Sequence, residues 1–310
     1  MDRHRRVVRV QESDGEVGRL KGDNEVTFRL DRTVTLVAGN LRKMVCATPV
    51  KATLPILMYH SISDIPKKVS HPYFQTNTTP PVFRRQLGIL RENGLLAITL
   101  KEALEHYTGF SGWPDRSVVL TFDDGYRDFS LHALPMLKEH DSRATVFVTV
   151  NMVGRRSPLF DSRECMSWDE IRRISNEGTE IGSHAMNHGR LNELSRADLE
   201  YEMRNSKSIL EDKTGKPVCS FSSPYAFPDH DKRFVLEYSN IARKSGYLGA
   251  VTTRIGIENH PDSLYLLRRI PMNDHDDDKL FRAKIEGDYD WLGTIQGIKK
   301  SFFSKAMDVR

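Results

Sequence analysis

The sequence predicts an α/β protein built on a largely parallel sheet that closes into a barrel of about seven strands, preceded by a small N-terminal β appendage. Three observations carry that expectation. From Leu54 onward, strand-length apolar runs alternate with amphipathic stretches of helical length, the order that leaves helices outside a parallel sheet. Seven such runs occur before the chain ends. Finally, His60, Asp123, Asp124, His184, Pro224 and Tyr225 all fall at or just after the carboxyl ends of those runs, where barrel enzymes keep their chemistry.

The elements follow in order. Residues 1–50 hold short β-prone pieces, Val7–Val10, Val26–Leu30 and Thr33–Val37, separated by Gly, Asp and Asn turns, and are expected to form a β-rich appendage to a domain spanning 51–310. The strands expected in that domain are Leu54–His60, Ser117–Phe122, Arg143–Thr149, Thr179–Ser183, Val218–Ser222, Leu248–Thr253 and Tyr265–Ile270. Helices are expected near 80–93, 100–107, 128–140, 168–177, 195–213, 231–245 and 276–286. Trp168 is expected to pack beneath the histidine motif that follows it, and 281–293 to form a closing helix and turn.

Composition narrows the class of function. The chain has 310 residues, 38% hydrophobic and 28% charged, which suits a soluble globular protein with a sizeable core. A formal charge of +4, with Lys and Arg scattered and not interleaved with aromatics, argues against nucleic acid as a partner. No segment approaches membrane-spanning length, and the Arg-rich first twenty residues lack the apolar core of a secretory signal, so the chain as written is expected to be cytoplasmic. A misassigned N-terminus would hide an export signal. The cysteines Cys46, Cys165 and Cys219 show no CxxC spacing and read as reduced thiols.

The chemistry concentrates in two short motifs. Thr121-Phe122-Asp123-Asp124-Gly125-Tyr126 sets two carboxylates after a strand, and about sixty residues later Ser183-His184-Ala185-Met186-Asn187-His188 sets two imidazoles four positions apart. One carboxylate and two imidazoles make three protein ligands and leave a coordination position for water, as in catalytic zinc sites. Neighbouring side chains on a strand point in different directions, so the second aspartate is free to act as a base. Taken singly, Asp-Asp-Gly is also a common turn, and each His also reads as a hydrogen-bonded surface residue.

The flanking residues are more specific. Leu120 to Tyr126, Ile181-Gly-Ser-His-Ala-Met-Asn-His-Gly-Arg-Leu191, Met166-Ser-Trp-Asp-Glu170, Phe221-Ser-Ser-Pro-Tyr225 and Gly246 to Thr253 together resemble the polysaccharide deacetylase family, the NodB-homology carbohydrate esterases. Ile56-Leu-Met-Tyr-His-Ser-Ile62 is similar to the first strand of its exopolysaccharide-deacetylase branch. The resemblance spans roughly 54–290 and implies a distorted (β/α) barrel with fewer than eight repeats. It implies Asp123 as general base, Asp124, His184 and His188 as ligands of a divalent metal, and the backbone N–H of Tyr225, fixed by Pro224, as an oxyanion donor. Zinc is the metal expected of that ligand set, with cobalt, nickel or iron as alternatives. The substrate implied is an acetylated glycan or glycan precursor, and Tyr126 is expected to line the sugar site.

Two departures from the family pattern stand out. Where many relatives place an Arg two positions before the Pro, this chain has Ser222, so Asp123 is expected to lack a guanidinium partner. The family's Leu-x-x-His, source of the general acid, has no counterpart in the right place. His275 in Met272-Asn-Asp-His275 is the best-placed substitute and His260 the second, while His60 reads as acid, substrate contact or a hydrogen-bonded strand-end residue. The leading expectation is a metal-dependent deacetylase of N-acetylated amino sugars. The alternatives are O-deacetylation, hydrolysis of another amide, or a glycan-binding scaffold with weak turnover; a third reading makes residues 1–50 a module that recruits the enzyme to a glycan-assembly complex.

Overall fold

The computed structural model describes residues 29–45, 53–64, 75–110, 112–160 and 162–296. After helix α1 (Leu30–Val45) come strands β1 (Ile56–Tyr59), β2 (Ser61–Ile62) and β3 (Asn77–Thr78), then helix α2 (Pro80–Glu92), strand β4 (Leu96–Ile98), helix α3 (Leu100–Phe110) and strand β5 (Ser117–Phe122). A π-helical turn (Phe129–Ala133) runs into α4 (Leu134–Glu139), followed by β6 (Thr145–Val148), α5 (Trp168–Asn176), β7 (Glu180–Ser183), α6 (Arg196–Thr214), β8 (Ser220–Ser222), α7 (Lys232–Lys244), β9 (Gly249–Ile255), β10 (Leu267–Pro271) and α8 (Asp278–Ile285).

Strands β1, β10, β9, β8, β7, β6 and β5 pair in that order, all parallel, and β1 pairs with β5 to close the ring. These are the seven expected strands. One strand of this sheet was not foreseen: β4 pairs with the first half of β5, from Leu96↔Ser117 to Ile98↔Val119, while β6 takes the second half at Thr121↔Thr145. Three residues are too few for an alternation to register. The seven expected helices are present near their expected positions, and β2 with β3 forms a separate two-stranded ribbon.

Alternation along the strands sorts side chains between two layers. Ile56, Val119, Phe147, Val251 and Leu267 share one cluster with Leu100 and Leu104 of α3, whereas Leu57, Leu120, Val146, Val148 and Ile270 join the larger cluster with the outer helices. The first set lines the lumen. Gly182 belongs there of necessity, since a Cβ would lie 2.5 Å from the Phe147 ring. Below it, the buried Glu180 carboxyl accepts from Ser220 Oγ (2.6 Å), Thr145 Oγ1 (2.7 Å) and Lys101 N (2.8 Å), and burial pushes its pKa up.

The N-terminal segment departs from expectation. Thr33–Val37, read as a strand, lies inside α1; Val7–Val10 and most of Val26–Leu30 fall outside the described residues. Local β-propensity loses here to tertiary anchoring. Asp31 accepts from the Tyr289 hydroxyl (2.9 Å), the Trp291 indole donates to Thr35 (3.0 Å), Arg32 pairs with Asp277, and Gly39 packs so tightly on Asp288 that a Cβ would meet its carboxylate at 2.2 Å. Trp168 opens α5 behind the Ser167 capping box and packs against the main core, and α8 runs into a turn at 286–290, after which 291–296 are again helical.

Candidate metal centre and base

Position 123 continues the lumen-facing register of Val119 and Thr121, and Asp124 then turns out of it with a left-handed φ of 72°. Gly125, at φ 67°, continues the turn, and Met166 N donates to its carbonyl (3.0 Å). His184 follows Glu180 and Gly182 on the lumen face of β7. The loop after it returns His188 to the same point through left-handed backbone at Ala185 (φ 64°) and His188 (φ 55°). Tyr225, after β8, is also left-handed (φ 57°). Four of the seven non-glycine residues with positive φ among the described residues thus surround one mouth, where packing must hold conformations that L-residues otherwise avoid.

The mouth gathers the predicted ligands. His184 Nε2 lies 3.5 Å and His188 Nε2 3.2 Å from Asp124 Oδ1, and a ligand atom from each residue falls within 4.8 Å of the others. His184 Nδ1 is 2.9 Å from the Ser222 carbonyl, which fixes its proton there and frees Nε2 as an electron-pair donor. Burial pushes the Asp124 carboxyl up, but bonds to His184 and His188 and the field of His60 hold it well below the ordinary carboxylate range. One oxygen and two imidazole nitrogens, all converging in a buried pocket, fit a divalent cation. His188 is further held by ring contacts with His184 (4.9 Å), Phe160 (5.0 Å) and Tyr225 (4.8 Å).

Asp123 corrects an expectation. It does have a guanidinium partner, supplied by β10: Arg269 Nη1 donates to Asp123 Oδ1 (2.7 Å) and Nη2 to Oδ2 (2.8 Å), a two-point pairing with both residues buried. The Arg269 fork is satisfied all round by the Thr252 carbonyl (3.0 Å), Thr121 Oγ1 (3.2 Å) and Ser222 Oγ (3.0 Å), and Ser222 also donates to Asp123 (3.2 Å). Burial alone would raise the Asp123 carboxyl; the charges of Arg269 and His184 outweigh it and lower the pKa, so the carboxylate is ionised at neutral pH. A register shift between Leu267 and Arg269 against β9 marks where β10 bends as it delivers this side chain. Sequence reasoning missed Arg269, although a signal existed: it shares the lumen register with Leu267, and a cation there needs a buried anion.

The other predicted residues separate into two groups. His60 faces the centre, feeling Asp124, Asp123, Arg269 and His184; burial lowers its pKa despite the carboxylates. His275 does not. It is exposed in a groove lined by Val82, Arg85, Gln86, Ile89 and Asp274 to Asp278, which includes none of Asp123, Asp124, His184 and His188. His260 lines a different cavity with Arg254, Glu258 and Arg268. Tyr126 is buried against Phe160 (5.5 Å), where burial and the neighbouring Asp124 charge push its hydroxyl pKa up. Pro224 is buried and Tyr225 exposed, its ring beneath the Arg190 guanidinium (5.0 Å) and its carbonyl accepting from Thr253 Oγ1 (3.3 Å). Cys165 and Cys219 are buried free thiols, as expected.

Comparison with known proteins agrees with this geometry. Residues 112–245 match the family model for polysaccharide deacetylases. YxkH of Bacillus subtilis, a protein assigned to the polysaccharide deacetylases, is 30% identical over 244 residues, 77% of this chain and 78% of that one. The poly-β-1,6-N-acetyl-D-glucosamine N-deacetylase of Escherichia coli is 26% identical over 141 residues, 42% of this chain and 20% of that enzyme. Among solved structures, the Streptococcus pyogenes deacetylase PplD in complex with acetate superposes with a TM-score of 0.63 at 24% identity, covering 76% of this chain and 99% of that one. With the barrel, the Asp124, His184, His188 cluster and a relative of near-equal extent in agreement, the chain belongs to the polysaccharide deacetylase family.

Proposed function

We propose that the protein hydrolyses N-acetyl groups of amino sugars in a polysaccharide or its precursor, with zinc as the resident ion. The observation that carries this reading is the adjacency of two differently wired carboxylates: Asp124 faces two imidazole nitrogens, while Asp123 is locked to Arg269. Family membership supports deacetylation, and the names of relatives that act on N-acetylglucosamine polymers support the sugar. A divalent ion held by Asp124, His184 and His188 supplies Lewis acidity, lowering the pKa of water and polarising the acetyl carbonyl.

The chain's own residues do the rest. Asp123, kept ionised by Arg269, accepts a proton from the attacking water. Among the described residues no acceptor pairs with the Tyr225 N–H, and the left-handed backbone after buried Pro224 leaves that donor for a developing oxyanion. His60, neutral at rest because burial lowers its pKa, serves as the acid by relaying to the departing nitrogen the proton that Asp123 has taken from the water. The scaffold alternative rested on a missing arginine and a missing acid, and the Asp123–Arg269 pair removes the first of these supports.

The test is metal analysis with acetate release from N-acetylglucosamine oligomers. His184→Ala is expected to lose the metal, and Asp123→Asn to keep it while losing about 10²–10⁴-fold in turnover. Metal loss in both variants, or undiminished release in Asp123→Asn, would overturn the division of roles.

A further inference from the structure

Helix α1 is docked the wrong way round for an ordinary amphipathic surface helix. Its polar and small residues face the domain: Arg29, just before it, bonds to the His275 carbonyl and pairs with Asp276, Asp31 meets Tyr289, Arg32 meets Asp277, Thr35 meets Trp291, and Gly39 rests on Asp288. Four of its large apolar residues face outward, while Leu36 is half-buried. Leu30 is 62% exposed, Val34 36%, Val37 55% and Leu41 57%. Hydrophobic burial normally sets the orientation of a surface helix, so polar anchors holding the apolar side in water call for a second surface to cover it.

The spacing specifies what covers it. Positions 30, 34, 37 and 41 are separated by four, three and four residues, and at about 100° per residue they fall within an arc of roughly 60°. A lipid-facing helix presents a much wider apolar arc; a seam this narrow is the width that one partner helix covers. Other large apolar residues exposed among the described residues, such as Phe110, Leu131 and Leu236, stand on separate elements and make no second stripe. A two-fold contact pairs such a stripe with itself.

We infer that α1 is a self-association surface, on which the Leu30, Val34, Val37, Leu41 seam of one copy packs against the same seam of a second copy. The four side chains offer roughly 400 Å² per copy, and the exposed neighbours Thr33 and Ala38 bring the total near the ~1,000 Å² at which specific interfaces begin. The dimer is therefore weak and concentration-dependent. It lies apart from the metal centre and does not depend on the activity proposed above.

Sedimentation velocity of the full chain across the micromolar range tests it. The wild type is expected to move from monomer to dimer with concentration. Val37→Gln with Leu41→Gln should raise the dissociation constant at least tenfold while leaving the circular dichroism spectrum, melting midpoint and metal content unchanged, and the shape-conserving pair Val37→Ile with Leu41→Met should retain the dimer. A wild-type chain that stays monomeric throughout overturns the inference, including one that instead sediments with anionic lipid vesicles. A dimer that survives the glutamine pair equally overturns it.

Discussion

Replacing Arg269 with methionine isolates the part of the centre that the sequence concealed. The guanidinium is 0% exposed and the Asp123 side chain 3%, so the substitution strands a carboxylate in a pocket closed to water. Deleting one member of a buried pair costs about 3–5 kcal/mol, because the survivor loses its compensating charge. Methionine has similar length, so little of that loss is a cavity. In the wild type the depressed Asp123 pKa contributes stability that is present above the unfolded carboxyl value of about 3.9 and is lost as pH falls through the folded value. Without Arg269, burial is opposed mainly by His184 and His60, and the carboxyl rises. The stability gap between wild type and variant should thus be widest at neutral pH and narrow in acid, where a protonated Asp123 needs no counter-charge. Urea unfolding across that range measures the gap, and the acid limb of the acetate-release profile should move to higher pH because the base must be ionised. Adding Asp123→Asn to Arg269→Met should recover part of the loss, giving a non-additive cycle. A gap independent of pH, together with additive losses, would refute the idea that Arg269 acts by holding the charge of Asp123.

Three further outcomes follow from other parts of the molecule. His60→Ala should reduce acetate release about 10²–10⁴-fold, the range for removing a general acid, whereas His275→Ala in its outer groove should leave release within about twofold; the reverse ranking would return the acid to His275. Glu180 has a raised pKa, so folding favours its protonated form and wild-type stability should decline as pH rises from about 4.5 through the folded value. Glu180→Gln should erase that slope in urea titrations, and a persistent slope would assign it to another group. Gly39→Ala drives a Cβ into the Asp288 carboxylate and should cost about 1–3 kcal/mol, with hydrogen exchange rising first in α1. Uniform exchange across the chain would show that α1 is not a separately anchored element.

What the sequence revealed depended on how far apart the informative residues lie. The seven barrel strands were legible because each carries its own apolar run, and the cluster that fits a metal because Asp124 stands in one short motif and His184 with His188 in another. Strand β4 was too short for a pattern. Helix α1 was misread because Thr33-Val34-Thr35-Leu36-Val37 is β-prone in isolation, and the contacts that override it come from residues 276–291, some 240 positions away. His60 and His275 look equivalent in sequence, each after a strand, yet the first turns into the field of the carboxylates and the second onto the outer surface.

The proton-transfer half of the centre was hidden for a more particular reason. Ser222 occupies the motif position from which an arginine was expected, and its small side chain bonds both to Asp123 and to the Arg269 fork that arrives from β10. Along the chain, 123, 222 and 269 belong to three remote segments. In the barrel they occupy one lumen layer, above the ring of Phe147 over which the guanidinium lies. The requirement imposed by chemistry is a cation at a place in that layer, and alternation on any neighbouring strand can deliver it. A motif reading tests a chain position and therefore registers Ser222 as a loss. A lumen reading asks which inward-facing position of the ring carries a charge, and on β10 that position is Arg269, two residues beyond the inward-facing Leu267.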